Sequence, residues 1–208
     1  MKYSNSMQLK AFIKEKATTH KISAQIVLQN YMMERLLERL SLSVFRKNFI
    51  IKGGFLIAAI VGLGSRGTMD LDVTAKDFLL THDSITEAFN VISAIELEDD
   101  IAFSISKTTD IREGDDYPGL RVHLLAKYPP LNVPLTVDVT TGDRITPSEI
   151  EYSFRLLYSF FIWQPCHAFN IHIRLTIIQP AYYLTALHIL LTACITSFQP
   201  MPSAYESL

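Results

Sequence analysis

Helical spacing of apolar residues marks the first forty positions of the chain. Over residues 5–20, Leu9, Phe12 and Ile13 recur every three or four positions, which predicts a short amphipathic helix. Ser23 can accept a hydrogen bond from an orphan backbone N–H, so a second helix is expected from about residue 24 to 40. Its charged side chains are expected on the solvent face: Glu34, Arg35, Glu38 and Arg39.

A helix-turn-helix that reads DNA is an alternative for residues 5–40. Such a motif places the start of its second helix in the major groove, where basic and polar side chains contact the duplex. The second predicted helix has few basic residues at its start, which counts against this alternative.

The next segments predict strands joined by a helix. Residues 49–51 are apolar enough for a short strand, and the apolar run 55–63 is long enough for a buried helix. Glycines and a serine make residues 62–67 a predicted loop. Residues 69–73 alternate apolar and acidic side chains, which is the period of a strand.

A further helix and three strands complete the pattern. Ser84 with Glu87 three residues later has the form of a capping box, so a helix is predicted from Ser84 to Ile95. The strands are predicted at 101–106, 120–126 and 135–140, the last one preceded by a linker between Pro129-Pro130 and Pro134. This mixture predicts an α+β fold, a mixed β-sheet flanked by helices.

Charge is distributed unevenly along the 208 residues. Residues 1–155 contain 18 Lys and Arg and 20 Asp and Glu, whereas residues 156–208 contain only Arg174 and Glu206. An ordinary domain would carry roughly 13 charges over such a stretch. We therefore predict a domain at 1–155, with leading helices at about 5–40, and an atypical apolar tail at 156–208.

The totals exclude several classes of protein. A net charge of -2 and a pI of about 6.3 exclude a broadly basic nucleic-acid coat but allow a local basic groove. The two cysteines, Cys166 and Cys194, indicate neither a disulfide scaffold nor a metal framework. The first 21 residues lack the apolar core of a secretory signal, so a cytoplasmic location is expected.

Three aspartates in apolar strands are the strongest chemical signal. Asp70 and Asp72 are two positions apart on a predicted strand, so both side chains point to the same side. Two carboxylates there repel each other unless a cation compensates, and Mg²⁺ prefers such oxygen ligands together with substrate phosphates. Asp138 lies alone in the apolar strand LTVDV and adds a third carboxylate if the two strands are neighbours.

A glycine pair between a strand and an apolar run offers a place for phosphate. Gly53 and Gly54 would expose backbone N–H groups at a helix start, and Lys52 would add a positive charge beside them. Arg66 and Thr68 precede the aspartates and are further candidates for phosphate contact. Taken singly, a glycine pair is more often an ordinary turn and two alternate aspartates can be a solvated strand edge.

These motifs, in this order, resemble the polymerase-β-like nucleotidyltransferases. The stretches FIIKGGFLIAAIVGLGSRGTMDLDVTA and VPLTVDVTTGDRITPSEIEYSF are similar to the AbiEii/AbiGii toxin family within that group, over roughly residues 7–155. Such proteins are toxins of bacterial toxin–antitoxin and phage abortive-infection systems. The resemblance implies transfer of a nucleotide from a nucleoside triphosphate to an acceptor, which is tRNA in some members, and a cognate antitoxin as partner.

The resemblance also implies roles for single residues. Asp70 and Asp72 would bind Mg²⁺, and Asp138 would be a third metal ligand or the base. The triphosphate would lie near residues of the glycine turn and of the loop before the aspartates: Lys52, Gly53, Gly54, Arg66 and Thr68.

The tail departs from the family, whose members continue into a charged helical domain that is missing or replaced here. An out-of-frame continuation after a frameshift near residue 157 is one explanation, and an unusual soluble tail is another. Residues 181–198 are uncharged and reach the lower limit for a membrane span, which makes a small membrane protein a third alternative. A catalytically inactive remnant that binds only nucleotide or antitoxin therefore stands beside the enzyme as a prediction.

Overall fold

Seven strands form one mixed β-sheet in the computed structural model, which describes residues 6–53, 70–111, 119–142, 150–155 and 170–175. The strand order across the sheet is β3-β4-β5-β2-β1-β7-β6. The pairs β2–β5 and β1–β7 are parallel and the other neighbours are antiparallel. The strands are β1 (Phe49–Lys52), β2 (Asp70–Ala75), β3 (Ala102–Asp110), β4 (Gly119–Tyr128), β5 (Leu131–Thr140), β6 (Ile150–Arg155) and β7 (Asn170–Leu175).

Three helices among the described residues contribute side chains to the core on the apolar face of this sheet. They are α1 (Ser6–His20), α2 (Ala24–Leu42) and α3 (His82–Ser93), and a short 3-10 turn (Val44–Lys47) links α2 to β1. The buried residues of α3 recur at helical spacing: Ile85, Ala88, Phe89 and Ile92. They belong to the same core cluster as the apolar side chains of the strands. The predicted α+β fold is thus confirmed.

Alternation along β4 and β5 separates the two faces of the sheet. In β4, Leu120, Val122 and Leu124 are buried, while the intervening residues are partly exposed. In β5, Val133 to Val139 follow the same period of two. Because successive side chains of a strand point to opposite faces, the sheet has one apolar face under the helices and one face rich in polar groups.

The charged side of α2 is not the solvent face that its sequence predicts. Glu34, Arg35 and Arg39 are each at most 3% exposed. Arg39 donates to both carboxylate oxygens of Asp99, each at 2.8 Å, and to the carbonyl of Ile101. The middle of the helix is therefore covered by the chain on this side as well, and the exposed residues of α2 lie at its ends: Ala24, Gln25 and Leu42.

The start of α3 differs from the prediction by two residues. The helix begins at His82, and its N-cap is Thr81 rather than Ser84. The Thr81 hydroxyl accepts from the backbone N–H of Ser84, and the Ser84 hydroxyl accepts from the backbone N–H of Thr81. Ser84 therefore does belong to a capping box, but as its third helical residue, so Glu87 has no part in it.

We expect Thr81→Ala to lower the free energy of unfolding by about 1 kcal/mol, because one backbone N–H at the start of α3 loses its acceptor. Urea unfolding followed by circular dichroism measures this. Thr86→Ala is the matched control, since the Thr86 hydroxyl bonds only to a carbonyl within the helix. Equal losses in the two variants would contradict the capping role.

The predicted linker before the last strand is instead a tight hairpin. Pro129-Pro130 forms the turn between β4 and β5, and β5 begins at Leu131. Pro134 lies inside β5 opposite Leu125, ahead of the stretch Thr136–Thr140 that pairs with β2. A proline is tolerated there because β5 has an unpaired side before β2 reaches it.

Several predictions concern residues outside the described part of the chain. These are the helix at 55–63, the loop at 62–67 and the membrane alternative at 181–198. Contacts divide the chain into the units Met1–Ile178 and Gln179–Leu208. The predicted domain boundary after residue 155 and the frameshift near residue 157 stay predictions.

Candidate functional site

A row of four charged side chains crosses the centre of the polar face. Lys52 of β1 is opposite Asp72 of β2, Asp72 is level with Asp138 of β5, and Asp138 is opposite Arg121 of β4. Residues that face each other on neighbouring strands lie on the same side of the sheet, with Cβ atoms about 5 Å apart. These four residues are called the charged row below, and two cations flank two carboxylates in it.

Asp70 belongs to the adjacent row on the same face. It is level with Thr136 of β5, which is opposite His123 of β4, which is opposite Lys107 of β3. Two residues along a strand correspond to about 7 Å, so Asp70 lies one step from Asp72 on the same side. All three predicted aspartates therefore share one face, with Asp72 and Asp138 as direct neighbours.

Gly53 lies directly against the Asp72 carboxylate. Its φ is +76°, and a Cβ built on it would overlap the Asp72 oxygen Oδ2 and lie 3.0 Å from Cγ. A side chain at this position is excluded both by the backbone conformation and by the carboxylate. Gly53 of the predicted glycine pair is thus beside Asp72. Its partner Gly54 and the candidates Arg66 and Thr68 lie outside the described residues.

We expect Gly53→Ala to lower the free energy of unfolding by about 1–2 kcal/mol, because an L-residue is strained at positive φ. The new methyl group must also displace the Asp72 carboxylate. Gly142→Ala is the matched control, since Gly142 has φ +75° and follows Asp138 by four residues. Urea unfolding should show the larger loss in Gly53→Ala, and equal losses in the two variants would contradict the contact with Asp72.

Lys52 lies within the sheet rather than projecting from the glycine turn. Its side chain is 8% exposed, and its Nζ donates to the Thr140 hydroxyl at 2.6 Å. Its positive charge lowers the pKa of Asp72. The structure therefore places the predicted phosphate-binding lysine where it also offsets the negative charge of the row.

The balance of effects at Asp72 disfavours its ionised form. Burial raises the pKa of Asp72 above its usual value, and the negative charge of Asp138 raises it further. The charges of Lys52 and Arg121 oppose this shift without cancelling it. A cation bound beside Asp72 would oppose this shift, because it favours the ionised carboxylate.

Arg121 is a functional candidate that the sequence analysis missed. Its Nε donates to Asp138 Oδ1 and its second terminal nitrogen donates to Asp138 Oδ2, both at 2.7 Å. These hydrogen bonds, followed by the charge of Asp138, raise the pKa of Arg121 above its usual value, so the guanidinium stays positive. The polar positions 121 and 123 within the apolar strand GLRVHLLAKY are the signal that could have indicated it.

His123 is the second missed residue. Burial lowers the pKa of His123, and the nearby charges of Lys107 and Arg121 lower it further against the opposing effect of Asp138. Its Nε2 lies 3.2 Å from the Thr109 hydroxyl. The neutral imidazole is therefore favoured at pH 7 and offers a polar, uncharged contact beside the row.

The carboxylates of this site are ligands of the type that Mg²⁺ prefers. Asp70, Asp72 and Asp138 offer hard carboxylate oxygens on one face, and Asp72 and Asp138 are adjacent. Among the residues that the structure describes, no three His, Cys, Asp or Glu side chains form a complete cluster for a metal ion. Substrate phosphates would supply the remaining ligands of a Mg²⁺ ion at such a site.

A family model decides which group of proteins this sheet and site belong to. The model described as the nucleotidyl transferase AbiEii toxin of type IV toxin–antitoxin systems matches residues 35–174. The chain belongs to the AbiEii toxin family. The match includes β1, β2, β4 and β5, which carry the charged row, and it ends beyond the boundary predicted at residue 155. The AbiEii resemblance is thus confirmed.

Two solved structures from Helicobacter pylori are similar to this AbiEii-family chain. One is JHP933, at 14% identity and a TM-score of 0.41, with 74% of this chain and 53% of that chain covered. The other is described as a candidate nucleotidyltransferase, at 16% identity and a TM-score of 0.40, with 74% and 55% covered. The chain spans about half the length of these structures.

No curated protein matches this AbiEii-family sequence. None of the helices that the structure describes is both long and apolar enough to cross a lipid bilayer.

Proposed function

We propose that this chain is a Mg²⁺-dependent nucleotidyltransferase toxin, which transfers a nucleotide from a nucleoside triphosphate to a hydroxyl of an acceptor such as tRNA. The observation that carries the proposal is the register that makes Asp72 and Asp138 direct neighbours on the polar face, beside Gly53. Membership of the AbiEii family supports the reaction class.

The proposed reaction is a substitution at phosphorus. The acceptor hydroxyl attacks the α-phosphorus of the triphosphate, a new P–O bond forms, and the bond to the bridging oxygen breaks so that pyrophosphate leaves. The carboxylate of Asp138 takes the proton of the hydroxyl. Mg²⁺, held by Asp70, Asp72 and Asp138, would supply positive charge that stabilises the phosphates as their charge shifts.

The remaining residues of the site would position the triphosphate. Gly53, together with Gly54, would offer backbone N–H groups to phosphate oxygens, because no Cβ blocks their approach. Lys52 contributes positive charge from within the sheet. Arg66 and Thr68 are proposed as further phosphate contacts.

Labelled substrates test this function directly. The purified chain is incubated with Mg²⁺, bulk tRNA and each of the four nucleoside triphosphates labelled at the α-phosphate. Label on the RNA supports the transferase. Binding of triphosphate without transfer would favour the inactive remnant, and neither binding nor transfer would contradict both.

The cellular part of the proposal is separate. A toxin of a phage abortive-infection system that acts in the cytoplasm should inhibit bacterial growth on induction, and co-expression of its cognate antitoxin should relieve the inhibition. Growth unaffected by an enzymatically active chain would contradict the toxin role while leaving the reaction in place.

A further inference from the structure

The charged row contains an ion pair that stands in the way of the proposed metal site. Arg121 occupies both oxygens of Asp138 through hydrogen bonds of 2.7 Å. Such a bidentate pair is among the stronger side-chain contacts, and its geometry is fixed by the planar guanidinium. A cation that approaches Asp138 therefore meets a positive charge already in place.

The two partners differ in how firmly they are held. The Arg121 side chain is 39% exposed and that of Asp138 is 17% exposed. Asp138 lies in a central strand between β4 and β2, and the guanidinium reaches it from β4 as the more exposed partner of the pair. Arg121 can therefore turn towards water, which solvates it well, without opening the apolar core on the opposite face.

The charge pattern of the row explains why an arginine suits this position. Asp72 and Asp138 are adjacent on neighbouring strands, so their like charges repel each other. Lys52 lies on the Asp72 side of the row and Arg121 on the Asp138 side. Without a bound cation, Arg121 supplies the compensating charge that Asp138 needs.

We infer that Arg121 is a positioning residue that competes with the divalent cation for Asp138. In the free protein Arg121 holds the carboxylate in place and neutralises it. Binding of a cation at Asp138 requires Arg121 to leave at least one oxygen. The inference rests on the proposed function, since it assumes that Asp138 serves a cation.

Cation binding without turnover tests this competition. Mn²⁺ prefers the same oxygen ligands as Mg²⁺, and its free form is measured by electron paramagnetic resonance. We expect Arg121→Gln to bind Mn²⁺ about tenfold more tightly than the wild type, because a facing positive charge has been removed. Circular dichroism checks that the variant is folded, and Arg121→Lys, which cannot make the bidentate pair, is a second variant that should show a smaller gain.

A matched control separates this contact from the general field of the protein. Lys127 lies on the same strand and the same face as Arg121, is exposed, and is about 20 Å away along β4. Lys127→Gln removes the same charge and should leave the Mn²⁺ affinity within twofold of the wild-type value. A similar gain in Lys127→Gln would overturn the inference.

A double-mutant cycle tests whether Asp138 is the shared partner. In an Asp138→Asn background, the further change Arg121→Gln should alter the Mn²⁺ affinity by less than about threefold. A tenfold gain in Mn²⁺ affinity in that background would overturn the inference. Unchanged Mn²⁺ affinity in both single variants, Arg121→Gln and Arg121→Lys, would also overturn it. If the wild type transfers nucleotide and Arg121→Gln shows no gain in Mn²⁺ affinity, only the competition is rejected. If Arg121→Gln shows the gain and the wild type transfers no nucleotide, the proposed reaction is rejected and the competition is retained.

Discussion

Asp72→Asn is expected to lower nucleotide transfer by at least about 10²–10³-fold and to abolish growth inhibition. Asp72 is the carboxylate beside both Asp138 and the Gly53 turn, so its loss removes the negative charge that would hold a cation against the phosphates. Groups that stabilise charge in a transition state contribute effects of this size when they are removed singly.

The measurement is transfer of α-labelled nucleotide to tRNA under identical protein concentrations, together with growth after induction. Glu87→Gln is the matched control, because Glu87 is an exposed carboxylate on α3, the helix layer on the other side of the sheet. It should retain the activity of the wild type. Full transfer by Asp72→Asn would remove the basis of the proposed site.

Loss of activity in this variant should not arise from unfolding. The pKa of Asp72 is raised in the folded chain, so its ionised form opposes folding at neutral pH. Stability from this group increases as the pH falls through the folded pKa towards the unfolded value of 3.8. The neutral amide of Asp72→Asn removes the cost at pH 7, and we expect its free energy of unfolding to be no lower than that of the wild type.

Asp99→Ala is expected to lower the free energy of unfolding by about 3–5 kcal/mol. Asp99 and Arg39 are both 2% exposed, and their bidentate pair ties α2 to the segment before β3. Asp99 also accepts from the backbone N–H of Ile101. Removing the carboxylate leaves the Arg39 charge buried without its counter-ion, which is the costly half of a buried ion pair.

Urea unfolding at neutral pH measures this loss, which is a large part of the roughly 5–15 kcal/mol that stabilises a typical domain. Glu15→Ala is the control, since Glu15 is 64% exposed and its contact with Lys16 spans 3.9 Å. It should change the stability by less than about 0.5 kcal/mol. Adding Arg39→Met to Asp99→Ala should restore part of the loss, because no unpaired charge then remains. A loss below 1 kcal/mol in Asp99→Ala would contradict the structural role of the pair.

Several features of the fold and the site could be predicted from local pattern. Alternation in β2 placed Asp70 and Asp72 on one side. Helical spacing indicated α1 and α2, and the capping pattern at Ser84 indicated α3, each within a few residues. The hairpin at Pro129-Pro130 was missed, because Pro134 is read as the end of a linker when its neighbouring strand is unknown. A proline inside a strand is tolerated only where one side of that strand is unpaired, and pairing is not a local property.

The burial of charged residues could not be predicted at all. The pattern of α2 fits a surface helix, and Arg39 would be solvated if Asp99, sixty residues later, did not reach it. Arg121 was overlooked for the same reason, since an arginine in a strand becomes informative only when its neighbour across the sheet is known to be Asp138.

By itself, the sequence determined that this chain has an α+β fold, that its aspartates alternate with apolar residues, and that its motifs are those of the AbiEii family. These properties follow from side-chain periods of 2 and 3.6 residues and from residue order, both of which are local properties of the sequence. Tertiary structure alone decided that Asp72 stands level with Asp138, that Gly53 touches Asp72 and that Arg121 holds Asp138. Strand register and helix coverage arise from contacts between segments far apart in sequence, and no local pattern fixes which residues such contacts bring together.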